Sequence, residues 1–313
     1  MLQIKPNLAS SYKYKAAEKY IRALRLPFIT ASLLPFFSGT LLQAGNIDCW
    51  KFALGLLAVI ATHLAANLIN DYADSKSGAD WHDQKFYGFF GGSKLIQENV
   101  LSEKFYLKTA LVCMLIACLA VISLSFLGAD LKIFGFFLGI LFLGIAYSNG
   151  PLKFSYRYLG EIVIFVLFGP AIVMGAYFIQ TNIFPTFTGF LLSLPFAFLI
   201  AGILIANEVP DLPEDIKAAK FNLVSMVGVK KAYLLYYGFM GLGLCFVLVN
   251  ILINTLTFIS LSVFLLLPLI VKAGVLLKNS YADKTKLVSS SKLTIKVQTV
   301  IGLIIVWDQL LNR

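Results

Sequence analysis

Apolar residues run along this chain in long blocks broken by short charged or turn-rich stretches, and nine blocks approach the roughly 20 residues that a helix needs to cross a bilayer. They cover residues 27–44, 51–70, 105–128, 132–148, 160–181, 185–206, 232–253, 256–277 and 294–311. The pattern predicts an all-α, polytopic membrane protein with nine transmembrane helices in a single domain, 1–313. Two of the polar breaks, 71–104 and 207–231, are long, and both fall on the same side of the membrane; the breaks on the other side are short and nearly bare.

The distribution of basic residues gives the orientation. With residues 1–26 inside, 21 of the 26 Lys and Arg fall in inner segments, against three outside: Lys51, Lys132 and Arg313. This excess places the N-terminus and both long loops on the cytoplasmic face. The first 26 residues are polar and basic and lead into the first span without a small-residue cleavage site, so the segment is expected to be retained. Only 13% of the chain is charged and 59% is hydrophobic, whereas an average soluble domain is about 25% charged, which excludes an ordinary cytosolic protein. The net charge of +10 lies beside the membrane lipid, so no nucleic acid is implied, and no obligatory protein partner is evident. Cys49, Cys113, Cys118 and Cys245 lack metal-site spacing and read as packing residues. A bacterial-type cytoplasmic membrane is the expected location.

The acidic residues are unevenly spread. Ten of 16 fall in two places: Asp71, Asp74, Asp80, Asp83, Glu98 and Glu103 in the first long loop, and Glu208, Asp211, Glu214 and Asp215 in the second. Asn67, Asp71 and Asp74 are spaced i, i+4, i+7, one helix face. Asn207, Asp211 and Asp215 repeat the Asn-x-x-x-Asp device 140 residues later, although Pro210 and Pro213 are expected to set Asp211 and Asp215 on a separate turn. Carboxylates at the ends of spanning helices need a wet cavity or a compensating cation. Mg²⁺ suits the pair, since it takes hard oxygen ligands from one or two carboxylates and completes its shell with water and phosphate oxygens. Two such clusters in a membrane point to a Mg²⁺-bridged diphosphate whose apolar tail lies in the bilayer.

Four segments carry a specific resemblance: Asn67 to Asp80 (NLINDYADSKSGAD), Gly91 to Lys94 (GGSK), Tyr147 to Gln180 (YSNGPLKFSYRYLGEIVIFVLFGPAIVMGAYFIQ) and Asn207 to Asp215 (NEVPDLPED). Together they resemble the UbiA superfamily of intramembrane aromatic prenyltransferases, and within it the 1,4-dihydroxy-2-naphthoate prenyltransferases of menaquinone synthesis. The resemblance implies nine helices around a central cavity open to the cytoplasmic side. It implies Mg²⁺ held by Asp71, Asp74, Asp80, Asp211 and Asp215, with Asn67 and Asn207 binding substrate. The reaction it implies is transfer of a polyprenyl group from polyprenyl diphosphate to an aromatic acceptor; with 1,4-dihydroxy-2-naphthoate the acceptor carboxylate is lost and the product is demethylmenaquinone. Two departures stand out. Gly78 occupies a place where the superfamily often has a carboxylate, leaving that ligand missing or supplied by Asp80. After Asp215 the chain reads Ile-Lys-Ala-Ala-Lys-Phe-Asn, where relatives usually carry an Arg and a glycine.

Cleaving an allylic diphosphate builds negative charge on the leaving oxygens and leaves a cation on the prenyl carbon. Lys94 is the expected phosphate clamp, with Lys153 as a second candidate. Tyr147 and Tyr156 flank the inner loop and can offer aromatic faces to the cation. Of the two histidines, His63 reads as a satisfied intramembrane residue and His82 as a loop residue. Rival readings are a relative acting on 4-hydroxybenzoate or a glycerol-phosphate lipid, and a secondary transporter, which would need charges near mid-membrane rather than at helix ends.

Overall fold

The structure, a computed structural model, describes residues 16–43 and 45–313. Lys5, Lys13 and Lys15 of the expected N-terminal segment, and Ala44 at the end of the first predicted span, lie outside the described residues. The described chain is helical throughout, its one β contact being an isolated bridge between Arg157 and Phe221. In chain order the helices are α1 (Ala16–Ala23), α2 (Thr30–Leu41), α3 (Cys49–Ser77), α4 (Glu103–Phe126), α5 (Lys132–Ser148), α6 (Gly160–Thr181), α7 (Phe187–Lys217), α8 (Leu223–Val227), α9 (Ala232–Leu252), α10 (Phe258–Asn279) and α11 (Lys284–Leu311).

Seven of these, α3, α4, α6, α7, α9, α10 and α11, are long and apolar enough to cross a membrane. The other two predicted spans take different forms. The first is a pair, α1 and the segment Leu26–Leu41, bent by 50°, with Arg25 in a left-handed conformation (φ 50°) and Pro27 opening the next turn. The fourth is α5, an apolar helix of 17 residues, about 25 Å long at 1.5 Å per residue.

Three predicted boundaries move, each for a physical reason. The second span runs on to Ser77, so Asp71 and Asp74 belong to its last turns rather than to a loop beginning at 71. Its start is capped by Asp48, whose side chain accepts from the Trp50 and Lys51 N–H groups, and its end by Gly78 at φ 90°, a conformation glycine adopts without steric cost. The sixth span likewise continues to Lys217, straight through Pro210 and Pro213. Each proline removes one backbone hydrogen bond, but Val209 and Leu212 are buried in the main core, which holds the segment helical. The separate turn expected for Asp211 and Asp215 is therefore not formed. The last helix begins at Lys284, capped by Asp283, ten residues ahead of the predicted 294, so Lys286 and Lys292 are helical.

α7 is the most enclosed span, with 78% of its apolar stretch buried against 28–50% in the other six. Around it α2, α9, α10 and α11 form the larger core through Phe196, Leu199, Tyr236, Met240, Val297 and Ile301. Spans α3 to α6 form a second core rich in small residues, among them Ala58, Ala61, Ala117 and Ala120. Small residues let helix backbones approach where the surrounding lipid offers no hydrophobic drive to associate. At Gly39 an added Cβ would collide with the Val173 backbone, and at Gly169 with Ala197. The acidic ends of α3 and α7 come from different cores and meet between them.

Candidate active site

Asn67, Asp71 and Asp74 share one face of α3, as their spacing requires. Asp71, 2% exposed, is held by the guanidinium of Arg25 and accepts from the Ser93 N–H at 3.3 Å. Asp74 accepts from the Tyr156 hydroxyl at 3.0 Å and lies 3.4 Å from Lys220 Nζ. Beyond the left-handed turn at Gly78 the chain doubles back and brings Asp80 to 2.8 Å from Lys94 Nζ. Burial pushes the Asp80 carboxyl up to about 6, with Lys94 pulling against it and the charges of Asp74 and Asp71 adding to it. Asp80, two residues past Gly78, lines the same cavity as Asp74.

On α7, Asp211 accepts from the Gly91 N–H at 2.9 Å, and Asp215 accepts from Asn222 Nδ2 at 3.2 Å and lies 3.6 Å from Lys220 Nζ. One lysine therefore touches a carboxylate of each array. Burial opposes the charge on Lys220, but Asp215 and Asp74 together carry its pKa well above the ordinary lysine value. Lys284 makes a second crossing, 2.8 Å from Asp83 and 2.7 Å from Glu214.

The Gly91–Lys94 loop makes a third. Gly91 N–H reaches Asp211, Ser93 N–H reaches Asp71, and the Lys94 ammonium donates to Asp80, so four consecutive residues tie both arrays together. Gly91 and Gly92 have φ of 74° and 77° and Lys94 a φ of 58°. A Cβ on Gly92 would sit 2.7 Å from Asp80 Oδ2, so this tight loop needs glycine there for both conformation and space.

Both arrays line one cavity of about 230 Å³, whose wall includes Asn67, Asp74, Asp80, Lys94, Tyr147, Asn207, Asp211 and Asp215. Three sequence candidates stand elsewhere. Asp71 lies behind the wall, locked by Arg25 and Ser93. Tyr156 also lies outside the lining, its hydroxyl 2.7 Å from Ser77 Oγ and donating to Asp74, which makes it a prop for that carboxylate. Lys153 occupies a left-handed turn with Nζ 5.0 Å from the centre of the Tyr156 ring, away from the cavity. Conversely, Lys220 and Lys284, both in the lining, were not among the sequence candidates, whereas Arg25, a minor clamp candidate from sequence, is in the lining but paired with Asp71.

Among the described residues, no three acidic, histidine or cysteine side chains close into a metal cage. Asp71, Asp74, Asp80, Asp211 and Asp215 instead each meet a cation or an N–H group of the chain itself, whereas Glu208 in the same wall has a buried Oε2 with no partner. The donor chemistry nevertheless fits Mg²⁺, which needs only one or two carboxylates beside water and phosphate oxygens. Asn207 supplies a further oxygen: its Oδ1 is buried, has no hydrogen-bond partner, and belongs to the wall one turn before Asp211.

The sequence model of the UbiA prenyltransferase family matches residues 32–295. The UbiA prenyltransferase domain-containing protein 1 of Xenopus tropicalis is 31% identical over 234 residues, 73% of this chain and 65% of that protein. The 1,4-dihydroxy-2-naphthoate octaprenyltransferase of Mycobacterium tuberculosis is 28% identical over 196 residues, 62% of this chain and 64% of that protein. The chain thus spans about 65% of the length of these curated relatives. A UbiA homologue from Archaeoglobus fulgidus, solved with GPP and Mg²⁺ bound, shares the fold with a TM-score of 0.61 at 17% identity, covering 92% of this chain and 99% of that one.

Proposed function

Since the chain belongs to the UbiA prenyltransferase family, we propose that it is a Mg²⁺-dependent membrane enzyme that transfers a polyprenyl group from polyprenyl diphosphate to 1,4-dihydroxy-2-naphthoate. The observation that carries this reading is the meeting of the α3 and α7 acidic arrays across one cavity, bridged by Lys220 and by the Gly91–Lys94 loop. The acceptor is favoured by the relationship to the octaprenyltransferase of Mycobacterium tuberculosis. Counting the bent pair and α5 as spans gives nine, with both arrays on the cytoplasmic face beside the basic segments and residues 1–313 forming a single domain.

In this reading Asp74 and Asp80 on one side, Asp211 and Asp215 on the other, and the oxygens of Asn67 and Asn207 hold Mg²⁺, with Asp71 behind them. Mg²⁺ supplies the positive charge that polarises the phosphate oxygens and offsets the charge of the leaving diphosphate. Lys94, and Lys220 in the same wall, meet phosphate oxygens as point charges. When the C1–O bond of the prenyl donor breaks, its electron pair leaves with the diphosphate, and these ammonium groups face the growing charge without having to reorganise. Tyr147 contributes aromatic surface for the allylic cation, worth about 0.5–2 kcal/mol when desolvated. The apolar side chains deeper in the wall, among them Leu167, Phe168 and Ile200, keep water from capturing that cation. The new bond joins C1 to the carboxylate-bearing ring carbon of the acceptor. Departure of the carboxylate as CO₂ returns its electron pair to the ring, so the product leaves as the quinol form of demethylmenaquinone.

The test is to incubate purified protein with labelled polyprenyl diphosphate, Mg²⁺ and a panel holding 1,4-dihydroxy-2-naphthoate, 4-hydroxybenzoate and a glycerol-phosphate lipid, and to identify the product by mass. The prenylated naphthalene is expected, and only with Mg²⁺ present. Asp211→Asn should abolish diphosphate release while inserting normally, and Asp71→Asn, which disturbs the Arg25 and Ser93 contacts behind the wall, should lower it; full turnover by both variants would defeat the reading.

A further inference from the structure

His63 lies on α3 one turn before Asn67 and two before Asp71, about 12 Å below that carboxylate at 1.5 Å per residue. The cavity changes character at this depth. His63, Ala66, Gly144, Leu167 and Phe168 are common to the polar cavity and to a second one of about 110 Å³. Just three polar side chains line the second cavity: Ser32, Thr62 and His63. The Thr62 hydroxyl donates to the Ala58 carbonyl of its own helix at 2.7 Å, and Ser32 Oγ is 2.8 Å from His63 Nδ1. His63 itself is 6% exposed, its ring stands edge-on to Phe168 with centroids 5.8 Å apart, and its Nε2 has no hydrogen-bond partner. The satisfied histidine expected from sequence is thus satisfied on one side only, and a buried polar atom without a partner is unfavourable enough to call for an explanation.

We infer that His63 Nε2 binds the distal hydroxyl of the aromatic acceptor, a specificity contact that rests on the prenyl-transfer reading above. Of the molecules that reading brings to the cavity, the isoprenoid tail has no hydrogen-bonding atom, and the diphosphate belongs with the lysines and carboxylates at the mouth. The acceptor combines a flat apolar body with polar groups at its edge. Its reacting carbon must come within about 3–3.5 Å of the prenyl C1, which adjoins the diphosphate. In 1,4-dihydroxy-2-naphthoate the 1-hydroxyl adjoins the reacting carbon and the 4-hydroxyl lies across the ring, so the 4-hydroxyl is the group turned toward His63. Ser32 sets the tautomer: if its hydroxyl donates to Nδ1, Nε2 carries a proton for an ionised acceptor oxygen, and in the opposite tautomer Nε2 accepts from a hydroxyl.

The experiment is a cycle of two enzymes and two acceptors: wild type and His63→Phe, each with 1,4-dihydroxy-2-naphthoate and with 1-hydroxy-2-naphthoate, which lacks the 4-hydroxyl. The wild type is expected to favour the dihydroxy acid by about tenfold in kcat/KM, the value of one buried hydrogen bond. His63→Phe should lose that preference and raise the acceptor KM while leaving the KM for polyprenyl diphosphate unchanged, and His63→Gln should restore part of it. A His63→Phe enzyme that still discriminates as the wild type does, or that loses donor and acceptor affinity equally, overturns the inference. If the wild type prenylates neither acid but binds polyprenyl diphosphate, the naphthoate assignment falls, and this contact falls with it.

Discussion

Lys220→Met tests how the two acidic arrays coexist. The Lys220 ammonium lies 3.4 Å from Asp74 and 3.6 Å from Asp215. At an effective dielectric of about 20, each pair attracts by about 5 kcal/mol before the cost of desolvation is subtracted. Removing the ammonium leaves two buried carboxylates confronting each other, supported by Tyr156 on Asp74 and Asn222 on Asp215. Losing one partner of a buried ion pair destabilises by about 3–5 kcal/mol. Lys220 keeps 17% of its side chain exposed, and screening by that water favours the lower end, about 3 kcal/mol. The assay is the thermal unfolding midpoint of the detergent-solubilised protein, first in chelator and then across a Mg²⁺ titration. The variant should unfold well below the wild type in chelator, and Lys220→Arg should stay close to it. Mg²⁺ should raise the midpoint of Lys220→Met more than that of the wild type, because no ammonium then competes for the same carboxylates. An unchanged midpoint in chelator, or equal Mg²⁺ responses, would refute the reasoning.

Gly92→Ala should destabilise more than Gly88→Ala. Both glycines have positive φ, 77° and 94°, but only at Gly92 does a Cβ meet a neighbour, Asp80 Oδ2 at 2.7 Å. The backbone part is about 1–2 kcal/mol at each site, so the difference between the two unfolding midpoints isolates the clash; equal midpoints would mean that the loop yields freely. Lys94→Ala should raise the KM for polyprenyl diphosphate by about tenfold or more, as expected for a lost charged contact, with a smaller change for the acceptor; steady-state kinetics on each substrate in turn would expose an equal loss. Lys153→Ala should leave donor KM unchanged, since its ammonium lies against Tyr156 outside the cavity; a rise matching that of Lys94→Ala would return it to the phosphate site.

What could be read from sequence was local in origin. The Asn67, Asp71, Asp74 face follows from helical geometry alone, and apolar blocks of span length mark the membrane helices wherever they lie. Pro210 and Pro213 misled because their effect on the backbone is local, while the burial of Val209 and Leu212 that keeps the helix intact is tertiary. The end of α11 that begins at Lys284 was missed because its first ten residues are polar and basic, and hydropathy registers a span only where it turns apolar. Lys220 had a local signal, five residues past Asp215 and within the stretch that departs from the family pattern. Lys284 had none: it meets Asp83 and Glu214 across 201 and 70 residues, and no short spacing encodes such a meeting.

Facing carboxylates require positive charge between them, and that requirement alone leads from the sequence to a divalent ion. The chain adds its own answer. Arg25, Lys94, Lys220 and Lys284 pair with Asp71, Asp80, Asp74 with Asp215, and Asp83 with Glu214, respectively. These pairs let the acidic helix ends fold already opposed, with Glu208, whose buried Oε2 in the same wall has no partner, as the exception. The same cations have the sign needed for a diphosphate. In the proposed reaction, carboxylates that engage a metal would release lysines, and the released ammonium groups would meet phosphate oxygens within the same cavity, so the incoming Mg²⁺ and diphosphate would exchange partners with charges already in place. The loop from Gly91 to Lys94 must take part in that exchange, since it contacts Asp71, Asp80 and Asp211 at once. Its two positive-φ glycines let the Gly91 and Ser93 N–H groups reach these carboxylates.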